Sequence, residues 1–252
     1  MIYQEKFKIG LKDVSKGNVV NNKAILEYLE DIASYHSDSV GYGVNTSDTT
    51  HLTWLLLDWK VKVIKRPQYG QTLDIRTWSR YIIKCYAYRD FEIYDENQEL
   101  CVIASSKWLL VNNQTGKITK VEPEVADKYE SEAEKSVFQE REIEKIKMPT
   151  NYKNSIIYQT KRKDIDIIGH MHNLYYLDLA YEALPEDIYD QRPFDEIRIM
   201  YKKEIKLGDT VVCKYSYEND KHIVVIQSED EKTLHAIIEL KWFWGRRKKS
   251  LF

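Results

Sequence analysis

Cysteine is scarce and badly placed for cross-linking. Cys85, Cys101 and Cys213 are odd in number, far apart, and form no CxxC pair. That excludes a disulfide frame and a cysteine zinc site, and points to reduced thiols in a reducing compartment. Proline and glycine are few, 5 and 9 residues, which leaves little room for long linkers or low-complexity segments. Neither sign of charge dominates. The net charge of -2 gives no bulk attraction to nucleic acid or to an anionic membrane. No apolar run approaches the length of a bilayer span. The N-terminal stretch from Met1 to Ile9 has neither the apolar core of a signal peptide nor the composition of a transit peptide, so a cytoplasmic chain is expected. GxGxxG and P-loop patterns are missing, and Gly41-Tyr-Gly43 alone makes no phosphate loop.

What the chain has in quantity is aromatic side chains, 19 Tyr and 6 Trp, which favour sheets and large apolar surfaces. Its chemistry gathers in one stretch, Asp164-Ile-Asp-Ile-Ile-Gly-His-Met-His-Asn173, which holds Asp164, Asp166, His170 and His172. Gly169 permits a tight turn. Leu174, Leu177, Tyr181 and Leu184 then recur at spacings of three and four, which predicts an amphipathic helix. Acids and imidazoles thus stand at a helix start. Unpaired N–H groups and the helix dipole can polarise a carbonyl there while an acid or imidazole moves protons. A capped loop with surface histidines is the plain alternative. The same four residues are metal-ligand types. A helix start would spread the rings of His170 and His172 apart, however, and neither a metal nor another cofactor is expected.

The chain repeats itself. Asp13 to Asn22, followed by a stripe of Ile25, Leu26, Leu29, Ile32 and Ala33, lies over Asp164 to Asn173 and its helix. In that overlay Asp13 meets Asp164 and Asn22 meets Asn173, but Asp166 becomes Ser15 and His170 becomes Val19. Val63 to Leu73 answers Tyr201 to Val211, with Gly70 against Gly208. Leu100 to Trp108 answers Leu234 to Trp242. Three matches in one order predict a duplicated unit of about 120 residues, each a helix followed by about four strands. The predicted strands of the first copy are residues 2–9, 53–64, 74–79, 86–94 and 100–111, with a loop from His36 to Thr50. The helix can lie across a curved antiparallel sheet. Glu122 to Lys147, dense in Glu and Lys, reads as a short helix and a solvated connector, and the basic tail from Gly245 as a frayed end.

Several features together resemble the acyl-acyl carrier protein thioesterase family, in order and over nearly the whole chain. They are Thr53-Trp54 opening a strand, Pro67 to Gly70 in a turn, Ser106-Lys107-Trp108 closing the first sheet, Asp164 to Asn173, and Tyr201-Lys-Lys-Glu204. The resemblance implies an α+β chain of two tandem hot-dog folds (a double hot-dog), each a long helix wrapped by a curved antiparallel sheet. Residues 1–121 would form an acyl-binding domain, 122–147 a linker, and 148–252 the catalytic domain. It also implies a cytoplasmic, bacterial-type hydrolase of fatty acid biosynthesis, a monomer or homodimer, that frees fatty acid from acyl carrier protein. An acyl-coenzyme A thioesterase and a non-catalytic acyl-binding protein are the alternatives.

In that family the second repeat carries a pattern like Asp-x-Asp-x-Asn-x-His-x-Asn-Asn. Asp166 and His170 match its second Asp and its His, Ile168 replaces the Asn before the His, His172 replaces the first Asn after it, and Asn173 matches the second. A downstream Glu-Cys falls on Glu204-Ile205. A Cys-His-Asn triad is therefore excluded. Asp166, His170 and Glu204 remain as catalytic candidates for attack by water on a thioester. Glu204 is expected in a half-buried strand, Asp164 in a structural role, and Cys213 in the core. Asp166 either caps or orients. His172 is either a hydrogen-bond donor or an exposed side chain. Backbone N–H groups at Gly169 and His170 are expected to hold the oxyanion. The implied substrate contacts are Gly169, His172, Asn173 and, in the apolar lining of the first copy, Trp54. Lys161, Arg162, Lys163, Lys202, Lys203 and Lys206 would form a basic rim for an acidic carrier.

Overall fold

The computed structural model describes residues 1–243. The basic tail from Gly245 lies outside the described residues. The chain divides into two compact units, Met1–Ile143 and a second from Glu144 onward. The first unit runs β1 (Tyr3–Lys8), α1 (Asn22–Ser39), a single turn α2 (Ser47–Thr50), β2 (Leu52–Val63), β3 (Thr72–Ile83), β4 (Tyr86–Tyr94), β5 (Leu100–Asn112) and α3 (Pro123–Lys128). Its strands form an antiparallel sheet in the order β1-β3-β4-β5-β2. The second unit runs β6 (Asn154–Gln159), α4 (Asn173–Glu182), α5 (Glu186–Tyr189), β7 (Glu196–Tyr201), β8 (Thr210–Glu218), β9 (Lys221–Ser228) and β10 (Leu234–Lys241). Its antiparallel order, β6-β8-β9-β10-β7, is the same element for element. No helix among the described residues is long and apolar enough to cross a membrane.

Each long helix starts where the repeat predicts. Asn21 caps α1 by accepting the Ala24 N–H at 2.8 Å, and Ile25, Leu29 and Ile32 are buried beneath it. The helix continues to Ser39, past the loop expected from His36. The stripe does not end at Ala33; it continues with an imidazole. His36 is fully buried, and its Nδ1 accepts from Arg89 Nη1 at 2.7 Å, so its hydrogen sits on Nε2. Tyr3 stacks on the ring at 5.4 Å. Arg89 reaches in from β4, is itself buried, and also donates to Thr77 Oγ1 at 3.2 Å.

The outer face of the first sheet is covered as well. The acidic and basic segment after α3 is largely exposed, as expected of a solvated connector, but it also returns over β3 and β4. Glu132 N–H donates to Ser79 O at 2.8 Å, Trp78 Nε1 to Lys135 O at 2.9 Å, and Tyr81 OH to Arg141 O at 2.9 Å. Val137 N–H donates at 3.0 Å to Asp90, whose fully buried carboxylate also accepts from Ser105 and lies 3.6 Å from Arg80 Nε. Burial pushes the Asp90 carboxyl up, an effect that these donors oppose. Charged side chains can be buried here because each finds a partner under the strap. This accounts for β4 being buried on both faces from Tyr88 to Phe91 instead of alternating.

His36 gives the first unit an acid sensitivity. Burial, then the neighbouring Arg89, lower its pKa from 6.5 to about 3. The unfolded chain therefore binds more protons between those values, and stability falls as the pH drops through that window. Urea unfolding at pH 7 and pH 4.5 should show the wild type losing about 2–3 kcal/mol more than His36→Gln, whose amide oxygen still accepts from Arg89 but does not titrate. Equal losses in the two proteins would refute the assignment.

Candidate active site

The loop before α4 is built on inward-turned carboxylates. Asp164 is buried and accepts from Tyr158 OH at 2.6 Å and Lys161 N–H at 2.8 Å, while its carbonyl takes His172 N–H at 2.9 Å. Asp13 does the same in the first unit, accepting Gly10 N–H at 2.7 Å, with its carbonyl on Asn21 N–H at 2.8 Å. Both are structural.

Asp166 folds the next turn. Its Oδ1 accepts from Ile168 N–H at 2.9 Å and His170 N–H at 3.1 Å. Its backbone N–H donates to His170 O at 2.8 Å, and its carbonyl accepts Gly169 N–H at 3.2 Å. Gly169 has φ +85°, and a Cβ there would meet nothing within 4 Å. The positive φ is what the turn requires of this position. These contacts correct the expected oxyanion donors, because the amides of Gly169 and His170 already donate to Asp166. His172 caps α4, its Nδ1 accepting Leu174 N–H at 3.3 Å. Asn173 opens the helix, and its carbonyl accepts from Tyr201 OH at 3.1 Å. His170 is half-buried, and no hydrogen-bond partner holds its ring among the described residues.

A second segment crosses this loop. Met171 N–H donates to Ile205 O at 2.8 Å, and His170 forms a backbone bridge with Lys206. Between β7 and this crossing lies Glu204. It is exposed and in a loop, not in the half-buried strand expected, because β7 stops pairing with β10 at Tyr201. Tyr176, on α4, reaches the same place. Burial foremost, then the nearby carboxylates of Glu204 and Asp166, push its pKa up, while the backbone N–H of Ile205 opposes the shift. The structure thereby gathers Asp166, His170 and Glu204 on two tied segments. Glu204 opens onto a groove of about 670 Å³, lined also by Lys203, Lys206, Asp209, Thr210 and His235.

The remaining candidates lie elsewhere. Ile205, at the family's Cys position, is fully buried. Cys213, in β8, is fully buried too, and burial pushes its thiol up to about 12, which rules out a ready thiolate. Trp54 belongs to the first unit. It donates to Tyr129 OH at 2.9 Å and packs with Val40, Tyr42, Leu52 and Ile82 around Tyr129. Among the described residues no three His, Cys, Asp or Glu side chains form a group that could hold a metal ion. Sequence reasoning passed over Tyr176, although the repeat held the signal. Its counterpart is Ile25, an apolar residue where the second unit carries a hydroxyl.

The chain matches the model of the acyl-ACP thioesterase N-terminal domain over residues 1–129 and of the C-terminal domain over residues 147–242. It is 26% identical over 225 residues to oleoyl-acyl carrier protein thioesterase 1, chloroplastic, of Arabidopsis thaliana, a match covering 83% of this chain and 62% of the relative. Against the oleoyl-acyl carrier protein thioesterase, chloroplastic, of Coriandrum sativum it is 24% identical over 242 residues, covering 88% and 64%. The chain therefore spans less than two thirds of the length of these curated relatives. An acyl-ACP thioesterase from Bacteroides thetaiotaomicron has the same fold, with TM-score 0.84, 18% identity, and 95% and 97% of the two chains covered. So does the 12:0-ACP thioesterase from Umbellularia californica, with TM-score 0.82, 16% identity, and 96% and 97% covered. The fold is α+β of the hot-dog type. The chain belongs to the acyl-ACP thioesterase family.

Proposed function

We propose that this protein hydrolyses the thioester of an acyl-acyl carrier protein in the cytoplasm and releases a free fatty acid. One observation carries the reading: two tied segments of the second unit bear Asp166, His170 and Glu204, where the first unit has Ser15, Val19 and Arg66 on the same backbone. Arg66 is buried and donates to Val20 O at 2.8 Å, a purely structural use of the position. On this reading residues 1–121 bind the acyl chain, 122–147 connect, and residues 148–252 carry the chemistry. The half-buried side chains of Trp54, Tyr42 and Leu52, packed on the buried cluster at Tyr129, offer apolar surface, and each methylene buried against them contributes about 0.8 kcal/mol.

Glu204 takes a proton from water as the water oxygen attacks the thioester carbon. The ring of His170, which no partner holds among the described residues, donates to the oxygen that gains negative charge, a role its own amide cannot fill. The tetrahedral intermediate collapses, the C–S bond breaks, and the thiolate takes up the proton that Glu204 removed from water, leaving as the carrier's thiol and restoring the carboxylate. Asp166 fixes the backbone of His170 through its N–H. With all attack assigned to water, no acyl-enzyme forms.

Glu204→Ala and His170→Ala should each lose roughly 10²–10⁴-fold in turnover, the range for a lost acid–base group. Cys213→Ala should keep its turnover. Asp166→Ala should lose activity along with the turn it holds. The measurement is release of acid and thiol from a panel of acyl carrier protein and acyl-coenzyme A thioesters, with mass spectrometry of quenched enzyme. A trapped acyl adduct, or near-normal turnover by Glu204→Ala, would sink the mechanism. Faster turnover of the coenzyme A thioesters would replace the substrate, and hydrolysis of neither set would leave an acyl-binding protein.

The proposed partner is the acidic carrier. Lys161, Arg162 and Lys163 are all exposed beside the site loop. Lys203 and Lys206 share their groove with Glu204, Asp209, Glu229 and Asp230, so steering by that side is partly cancelled. Arg162→Glu should therefore raise the KM for a carrier-bound substrate more than Lys203→Glu does, and the difference should shrink as salt rises. A KM that neither change moves would remove the basic rim from the account.

A further inference from the structure

The two units provide an internal control for the site, because one has the architecture without the chemistry. Ser15, Val19 and Arg66 stand where Asp166, His170 and Glu204 do. A fourth exchange has the same character. Strand β10 carries a bulge between Leu234 and Ala236, which leaves His235 as the extra residue. Strand β5 carries the same bulge at the same place, and its extra residue is Cys101. The bulged carbonyl does identical work in both. Cys101 O accepts Ile64 N–H at 2.8 Å and Lys65 N–H at 3.1 Å, and His235 O accepts Lys202 N–H at 2.8 Å and Lys203 N–H at 3.4 Å.

The side chains differ. Cys101 is fully buried and its Sγ turns back on Glu99 O. His235 is also buried, but its Nδ1 donates to Lys203 O at 3.0 Å. A carbonyl only accepts, so this bond places a hydrogen on Nδ1. Lys203 is thus held at both its N–H and its carbonyl by a single residue, and the next residue is Glu204. On the other side of Glu204, Ile205 is held through its carbonyl by Met171. Without the imidazole, Lys203 would keep its N–H on the His235 carbonyl and lose the bond at its own carbonyl, the group joined directly to Glu204. His235 also lines the groove onto which Glu204 opens.

We propose that His235 is a positioning residue for Glu204: its imidazole pins the Lys203 carbonyl and so sets where the Glu204 carboxylate stands. The inference rests on the reading of Glu204 as the general base. A misplacement of about 1 Å at such a base costs up to roughly 10²-fold in rate.

The test uses the full-length protein and one acyl-carrier substrate. His235→Cys keeps a side chain that the same bulge accommodates in the first unit, so it should fold, with a melting temperature checked alongside. Its kcat should fall about 10- to 100-fold with KM unchanged. His235→Asn, whose amide N–H can replace Nδ1–H toward Lys203, should recover most of that loss. In a Glu204→Gln background, His235→Cys should add no further loss, since it acts through the missing carboxylate. Wild-type kcat in His235→Cys, an unrescued His235→Asn, or losses that multiply in the double variant would each overturn the proposal. Wild-type turnover in Glu204→Gln alone would overturn it differently, by removing the base that His235 is proposed to place.

Discussion

A contact two residues long carries the whole candidate site. Met171 N–H on Ile205 O, with His170 bridged to Lys206, brings the turn before α4 against the segment leaving β7. The first unit makes the same contact with Val20 N–H on Pro67 O at 2.9 Å. Both are main-chain bonds, so they are indifferent to what the flanking side chains are. That indifference lets one backbone serve twice. Around the crossing the second unit can display an acid, an imidazole and a carboxylate, while the first turns the equivalent positions to packing. Backbone groups in such a place must be paired in either case, so the geometry is set before any chemistry is added.

Much of this was legible in the sequence, and the reasons for the rest are physical. The duplication showed because its anchors, Asp13 and Asp164, Asn22 and Asn173, Gly70 and Gly208, hold turns and caps that tolerate few replacements. Strand β4 was read to the residue because its ends are turns. Helix α1 was cut short because a buried histidine continued its apolar face, and a pattern of hydrophobicity does not register an imidazole paired with an arginine. The segment after α3 read as solvated because its residues are charged. The structure pairs several of them, and lends the backbone carbonyls of Lys135 and Arg141 to the sheet. Glu204 was misplaced for a related reason: the bulge at His235 ends β7 early, and a bulge leaves no mark in the alternation.

The sequence brings Asp166, His170 and Glu204 together as candidates, but it does not show which of their atoms are already engaged. Hydrogen-bond direction shows that. Asp166 spends one oxygen on the amides of Ile168 and His170, and His172 spends Nδ1 as a helix cap. A list of acids and imidazoles cannot tell a group already engaged from one that is available. Only His170 and Glu204, of those in the motif, combine access with a side chain that no described neighbour holds. The absent cysteine at Ile205 also has a structural sense, since that side chain faces the core and no solvent reaches it.

The strap across the first sheet bears on how the gene for such a chain can be cut and rejoined. The repeat invites a break after residue 121, where the strands of the first copy end. A chimaera joined there would borrow its strap from another parent. Asp90 would have to find the amide of a foreign residue in place of Val137, and Trp78 and Tyr81 would need carbonyls from a segment selected against a different sheet. The contacts of the first unit instead continue to Ile143. The exchangeable module is therefore the sheet together with the segment that covers it, and a crossover that respects the fold falls between Ile143 and Glu144, well inside what the sequence presents as a featureless charged connector.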